Sequence, residues 1–138
     1  MAVNTQFSIA IHLLAGLAWR DGKDTTSGDL ARSVNTSVSF VRRTLSRLSK
    51  AGLVETTTGK TGACRLAMAP ERISLLDVYQ AVDAPKAFAI HAYADQKACP
   101  VSCRIKQALE KALSKTQRAM EAGLDKITLA EIISDIGR

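Results

Sequence analysis

The spacing of apolar residues near the start of the chain predicts a core helix from about Thr5 to Arg20. Apolar side chains recur there at helical intervals, and they are Phe7, Ile9, Ala10, Leu13, Leu14 and Leu17. A polar run at 21–24 ends this helix. No positive charge precedes the apolar stretch and no small-residue cleavage site follows it, which favours a core helix over a signal peptide.

Two shorter amphipathic segments, separated by a tight turn, follow. Ser27 is the expected N-cap of a helix that continues to about Ser33. In the turn, Asn35 or Thr36 is expected to cap a third helix, Ser37–Ala51. Apolar positions of this third helix are spaced three, four and three residues apart and are predicted to face inward: Val38, Val41, Leu45 and Leu48.

A glycine-bearing hairpin comes next. Leu53–Thr58 has the composition of a strand, the segment 59–62 forms the expected tip, and Cys64–Met68 is the return strand. The order of helix, turn, helix and hairpin predicts a winged helix-turn-helix over residues 1–84. The predicted fold is mainly α, with a small β-hairpin wing and a long C-terminal dimerisation helix.

Two sequence capping boxes open apolar helices in the second half of the chain, at Ser74–Asp77 and at Thr128–Glu131. Between them, residues 85–99 have no periodic pattern and are expected to form a flexible sensor loop. The remaining segment, 100–138, is predicted to hold a long helix and a C-terminal helix.

The long helix is expected to run from Pro100 to about Asp125. Its apolar positions make one stripe: Ile105, Leu109, Ala112, Leu113, Thr116, Met120 and Leu124. The short preceding helices offer too little surface to cover this stripe, which predicts a homodimer. A helix packed wholly inside its own domain is the alternative.

Charge is distributed unevenly, and this favours double-stranded DNA as a partner. The net charge is +6. Residues 1–70 hold nine Lys and Arg against four Asp and Glu, whereas 71–138 hold ten against nine. A phosphate-binding surface needs such an excess in the half that carries the motif. The alternative is a winged-helix module that docks protein and whose basic face is incidental.

The side chains expected to read DNA lie at the start of the third helix, because that end points toward base edges in a helix-turn-helix. They are Thr36, Ser37, Ser39, Phe40, Arg42 and Arg43. Either arginine can pair with guanine, and Phe40 can contact a thymine methyl group. Arg47 suits backbone phosphates, while Lys60 and Arg65 of the hairpin suit the adjacent backbone or minor groove.

Five segments carry a resemblance to a known family: SIAIHLLAGLA, SVSFVRRTLSRLSKAGLVETTTGKTGA, ISLLDVYQAVD, ACPVSCRIKQALEKAL and ITLAEIISDI. The chain resembles the Rrf2 family of bacterial transcriptional regulators nearly from end to end. The resemblance implies winged-helix homodimers that are joined through the long helix and that usually repress promoters. It also implies DNA contacts at Ser37, Ser39, Phe40 and Arg42, and near 58–60 in the wing.

Cys99 and Cys103 are candidates for redox sensing. Pro100 at the first helical position makes Cys99 the expected N-cap and puts Cys103 one turn into the helix. Helix N-termini stabilise thiolates, so Cys99 is the expected primary thiol. Residues four apart on a helix have Cβ atoms about 5–6 Å apart, against about 3.5–4.5 Å in a disulfide. A bond between subunits or a mixed disulfide is therefore easier than an intramolecular one.

Other uses of the cysteines stay open. Packing near the dimer interface is one. An iron–sulphur cluster is another, since some members of the resembling family hold one with three loop cysteines about six residues apart. Lys97 and His91 stand at two of those positions here, so no cofactor is predicted. Metal binding is not predicted either, because His12 and His91 lack the paired spacing of zinc ligands.

Several function classes are not supported. The sequence has no nucleophile elbow, phosphate loop or HExxH motif, so no enzyme is predicted. No segment approaches the roughly 20 apolar residues of a membrane span, so no membrane partner is predicted. An odd number of cysteines, three, without a secretion signal predicts free thiols and a cytoplasmic location.

Overall fold

Helices make up most of the protein, with a small antiparallel sheet beside them. The computed structural model describes residues 4–20, 23–56 and 62–137. Within these ranges the helices are α1 (Gln6–Trp19), α2 (Ser27–Val34), α3 (Val38–Lys50), α4 (Leu75–Ala81), α5 (Pro100–Asp125) and α6 (Leu129–Ile136). The strands are β1 (Thr25–Thr26), β2 (Val54–Thr56) and β3 (Ala63–Leu66), and a 3₁₀ turn spans Pro70–Arg72. The predicted mainly α fold with a small hairpin is confirmed.

The strand β3 lies between β1 and β2 and is antiparallel to both. Thr25 pairs with Cys64 on one side of β3, and Glu55 pairs with Arg65 on the other. The strand β1 was not predicted, because two residues carry no alternating pattern and depend on the edge that β3 offers them. Most of the predicted hairpin tip, residues 59–61, lies outside the described residues.

The core forms where α1 meets the other helices. Its fully or almost fully buried members include Ala10, Leu13, Leu14, Leu17, Leu30, Val41, Leu45, Leu48, Ile73, Val78 and Leu129. The prediction that α1 is a core helix is therefore confirmed. Val38 was also expected to face inward, but it is 36% exposed, because it occupies the first turn of α3 beyond the edge of the core.

The helix caps differ from those expected for α2 and α3. Thr26 caps α2: its Oγ1 accepts the Asp29 N–H at 3.1 Å, and the Asp29 carboxylate accepts the Thr26 N–H at 3.1 Å. Ser27 becomes the first helical residue because Thr26 has the extended backbone of β1. Asn35 has a φ of 64° and ends α2, which leaves Ser37 as the N-cap of α3.

The C-terminal helix α6 returns to the first half of the chain. Leu75 donates its N–H to the Ile127 carbonyl at 2.9 Å, and Leu129 donates to Ile73 at 2.8 Å. The cap predicted at Ser74 is a complete capping box, whereas Thr128 caps α6 by accepting the Glu131 N–H at 3.3 Å. These bonds place α6 against α1, where Leu129 is fully buried.

The long helix α5 has the predicted bounds but no buried residue. One side rests on its own domain and is half-buried: Ile105, Leu109, Leu113, Gln117, Met120 and Leu124. A neighbouring side is exposed and is made of small and branched residues: Val101, Ala108, Ala112, Thr116 and Ala119. The single predicted stripe is thus divided, because Ala112 and Thr116 fall on the exposed side, called here the α5 free face.

Candidate nucleic-acid interface

The start of α3 presents polar side chains to solvent. Ser37 caps the helix by accepting the Phe40 N–H at 3.2 Å. The predicted reading residues around it are exposed or half-buried: Thr36, Ser39, Phe40, Arg42 and Arg43. The second helix of a helix-turn-helix lies in the major groove with this end toward the bases. The arrangement therefore suits side-chain contact with base edges.

The two arginines of this region are held in different ways. Nε of Arg42 donates to the Ser27 hydroxyl at 3.3 Å, which joins α3 to the first turn of α2. The guanidinium of Arg43 lies over the Phe40 ring, with its central carbon 5.9 Å from the ring centroid. Within the described residues, the Nη groups of both arginines have no hydrogen-bond partner in the protein. Both side chains therefore keep donors for a ligand.

Arg47 makes a contact that the sequence does not reveal. Its Nη1 donates to the Val82 carbonyl at 2.9 Å, which ties α3 to the residue that follows α4. The donor and the acceptor are 35 positions apart, and no local pattern connects them. The expected phosphate contact of Arg47 stays a prediction, and part of its donor capacity is used within the fold.

The wing contributes one described basic residue. Arg65 is exposed on β3, and its register partner on β2 is Glu55. Lys60 and the implied contacts near 58–60 lie outside the described residues, so their predicted roles stay predictions.

A charged cluster surrounds the first turn of α2. One oxygen of the Asp29 carboxylate lies 2.6 Å from Nη2 of Arg32, and the other lies 3.8 Å from Nη1 of Arg20. The backbone hydrogen bond of Thr26 lowers the pKa of Asp29 most, followed by the Thr26 side chain, while partial burial opposes and the charges of Arg32 and Arg20 add to the lowering. Neither arginine was among the site residues predicted from the sequence. The i, i+3 spacing could have revealed Arg32, but nothing local reveals Arg20.

The loop before α5 is folded against the first turn of that helix. Tyr93 donates its hydroxyl hydrogen to the Ser102 carbonyl, and the Gln96 N–H donates to the Ser102 hydroxyl at 2.9 Å. His91 stacks on Tyr93 with ring centroids 4.9 Å apart. The loop has no helix or strand from Pro85 to Ala98, as expected.

Cys99 and Cys103 are both exposed, but their sulphur atoms have different neighbours. Cys99 is the N-cap of α5, as predicted, and its Sγ accepts the Ser102 N–H at 3.4 Å. The Cys103 thiol donates instead to the Gln96 carbonyl at 3.5 Å. The Cys99 sulphur therefore acts as a hydrogen-bond acceptor, whereas the Cys103 thiol acts as a donor.

Cys64 has a third environment. It is buried in β3, and its S–H donates to the Thr25 carbonyl at 3.3 Å. Burial raises the pKa of the Cys64 thiol, and the nearby negative charge of Asp29 adds to this. The Cys64 thiol therefore stays neutral and unreactive at physiological pH.

The comparison with protein families decides the identity of the chain. The model of the Rrf2 family, described as an iron-dependent transcriptional regulator, matches residues 3–135. The chain belongs to the Rrf2 family. Rrf2 proteins are transcriptional regulators with a DNA-binding fold, and they are not enzymes.

Individual relatives agree with the Rrf2 assignment. YwnA of Bacillus subtilis, whose name places it among HTH-type transcriptional regulators, is 38% identical over 135 residues, which are 97% of this chain and 98% of YwnA. IscR of T. potens superposes with a TM-score of 0.71 at 21% identity, over 99% of this chain and 88% of that one. CymR, the global cysteine regulator of B. subtilis, superposes with a TM-score of 0.69 at 21% identity, over 97% of each chain. The two structures establish the Rrf2 winged-helix fold.

The iron named in the description of the Rrf2 model does not fit the described residues of this chain. Among the residues that the structure describes, no group of three or more His, Cys, Asp or Glu side chains could hold a metal ion. Cys64 is buried on β3 and bonded to Thr25, whereas Cys99 and Cys103 lie at the start of α5. The cysteines therefore do not form a three-ligand set.

No helix within the described ranges has the length and apolar character needed to cross a membrane.

Proposed function

We propose that this Rrf2 regulator binds double-stranded DNA as a homodimer and represses transcription from a palindromic operator. The exposed, arginine-bearing start of α3 on a winged-helix scaffold is the observation that carries the proposal. In this proposal residues 1–84 bind DNA, residues 85–99 form the sensor loop, and residues 100–138 join the subunits. A protein that acts on the chromosome in this way works in the cytoplasm.

Base reading is assigned to the first turns of α3. Ser37 and Ser39 are small enough to let the helix approach the groove closely, and Phe40 provides an apolar edge for a thymine methyl group. The unpartnered Nη groups of Arg42 and Arg43 suit a guanine or a phosphate. Thr36, Arg47, Lys60 and Arg65 are assigned to the flanking backbone and the minor groove.

Dimerisation is assigned to the α5 free face. A helix of 26 residues without a buried residue leaves its small side chains available to a second copy. The small side chains of Ala108, Ala112 and Ala119 would let two α5 helices approach closely. Val101, which is 63% exposed at the N-terminal end of this face, would be covered by the second copy. A two-fold mate presents the same face and so closes the assembly.

The regulatory step is assigned to Cys99. A thiolate at this N-cap attacks one sulphur of a low-molecular-weight disulfide, which forms a mixed disulfide and releases the other half as a thiolate. The reaction turns the sulphur that accepts the Ser102 N–H into a disulfide sulphur, which is a weaker acceptor, and adds bulk at the start of α5. A small rotation of one subunit against the other would then misalign the two α3 helices.

DNA binding is tested by selecting duplexes from a random pool with the reduced, full-length protein. We expect an inverted repeat whose half-sites lie about 34–36 Å apart, one helical turn, or a multiple of this. The affinity should fall steeply between 50 and 200 mM salt, because several phosphates are neutralised. Failure to enrich any duplex, or an affinity that salt does not change, would refute the DNA-binding proposal and favour a protein-docking module.

The Cys99 assignment is tested with oxidised glutathione as the disulfide. We expect wild-type protein to gain one glutathione and to lose operator affinity, and reduction with dithiothreitol should restore both. Cys99→Ser should bind the operator equally well with and without the disulfide. Cys103→Ser is the matched control and should respond like the wild type. Equal operator affinities for the modified and reduced wild-type protein would exclude a sensing role.

A further inference from the structure

A cationic cleft opens between the end of α1, the residues just before β1 and the strand β3. Its volume is about 140 Å³, and its charged lining residues are Arg20, Lys23, Asp24 and Arg65. Among the residues that the structure describes, three cations and one acid therefore line the cleft. We call this feature the α1–wing cleft.

We propose that the α1–wing cleft binds a phosphate group of the DNA backbone through Arg20, Lys23 and Arg65. The inference rests on the proposed DNA-binding function and extends the contact surface beyond α3 and the hairpin tip. Arg20 and Lys23 are the new residues in this surface.

The contact of Arg20 with Asp29 places the cleft beside α2, which is the first helix of the helix-turn-helix. Nη1 of Arg20 lies 3.8 Å from the carboxylate of Asp29, in the first turn of α2. The first helix of a helix-turn-helix crosses the DNA backbone. About half to two-thirds of protein–DNA hydrogen bonds go to phosphates and sugars. A cation held at the start of α2 is therefore close to the strand that this helix crosses.

The backbone after α1 brings Lys23 to the same edge of the cleft as Arg20. The N–H of Lys23 donates to the carbonyl of Arg20 at 2.9 Å, so the turn after α1 carries both side chains. Within the described residues Lys23 and Arg65 form no ion pair, so their charges are available to an anion. The Asp29 carboxylate offsets part of the positive charge of Arg20. The same contact also restrains the Arg20 guanidinium group when no ligand is bound.

Apart from Asp24, none of the other described lining residues carries a negative charge. Cys64 borders the cleft, and its S–H is directed to the Thr25 carbonyl. Burial raises the pKa of this thiol, so no thiolate faces the cleft at neutral pH.

The size of the cleft favours a single phosphate group over a free metabolite. Sites for small organic ligands usually enclose about 300–1,000 Å³. A volume of about 140 Å³ accommodates a phosphate but leaves little room for a nucleoside attached to it. A backbone phosphate fits because the rest of the nucleic acid stays outside the cleft.

The test compares the salt dependence of binding for full-length Arg20→Ala, Lys23→Ala and the double variant. The probe is a labelled 30-base-pair duplex of random sequence, measured by fluorescence anisotropy at several salt concentrations. Each lost phosphate contact should lower the slope of log K against log salt by about 0.9. Affinity should fall by the same factor on random and on selected duplexes, because a phosphate carries no sequence information.

Two controls separate a phosphate contact from a structural defect. Lys23→Arg retains the charge and should retain the wild-type slope. Lys111→Ala removes an exposed cation from α5 and should leave the slope unchanged. In a separate arm without DNA, inorganic phosphate is titrated at constant ionic strength and followed by NMR.

The outcomes are distinct. An unchanged slope in the double variant, with affinity still lost in the Arg42→Ala/Arg43→Ala variant, overturns the cleft and leaves the proposed function standing. Saturable binding of inorganic phosphate that needs Lys23, combined with an unchanged DNA slope, assigns the cleft to a free anion and also overturns it. If the wild-type protein binds no duplex, the proposed function itself fails.

Discussion

Replacing Arg42 and Arg43 together by alanine is expected to lower the affinity for a selected operator by about 100-fold. Both guanidinium groups keep their Nη donors, and both project from the first turns of α3. A bidentate contact with a base contributes about 1–3 kcal/mol of discrimination, so two lost contacts near the lower end of this range give an effect of this size. Anisotropy with the selected duplex and with a scrambled duplex measures the loss. The ratio of the two affinities should also fall, because base reading is lost.

A matched control removes two positive charges elsewhere. Arg104→Ala/Lys111→Ala changes the net charge by the same amount on α5 and should lower the affinity far less. The Arg42 contact with Ser27 makes a folding check necessary, so thermal unfolding is followed for each variant. An equal loss of affinity in the control would show that overall charge, and not α3, determines binding.

Introducing a charge into the α5 free face should produce the second large effect. Ala112→Glu is expected to convert the dimer into monomers of 14.8 kDa, because two carboxylates would lie close together between the paired helices. Loss of the partner also removes the second half-site contact, which lowers the apparent operator affinity by about 100- to 10,000-fold. Sedimentation equilibrium gives the mass, and anisotropy gives the affinity.

Gln107→Glu is the appropriate control for this experiment. It adds the same charge to an exposed position of α5 that lies on a different side of the helix. We expect it to remain dimeric and to bind DNA normally. If Ala112→Glu sediments as a dimer, the α5 free face is not the dimer interface. If the wild-type protein is already a monomer, the homodimer proposal fails.

Periodicity was sufficient to predict the helices of this chain, because their apolar positions are local and regular. The stripe of Val41, Leu45 and Leu48 gave α3, and the run to Leu17 gave α1. Errors occurred where a residue depends on something distant in sequence. Thr26 caps α2 because pairing with β3 holds its backbone extended, and the cap was therefore assigned one residue too late.

The candidate site shows the same division. The polar start of α3 and the N-cap position of Cys99 could be predicted, because both follow from local helix rules. The bond from Arg47 to Val82 and the approach of Arg20 to Asp29 could not, since each joins separate elements. The division of α5 into an exposed and a half-buried side could not be predicted either, because a helical stripe alone does not show which of its residues the rest of the domain covers.

The position of Leu129 affects how the protein can fold during synthesis. This side chain is fully buried, and its N–H bonds to Ile73, yet it lies near the end of the chain. At about 5–20 residues per second, a ribosome that has completed α4 needs several more seconds to make α6. During that interval the face of α1 that α6 will cover stays open to water or to a chaperone. Nascent or prematurely terminated chains therefore carry an incomplete core, even when every residue of the DNA-reading helix is already present.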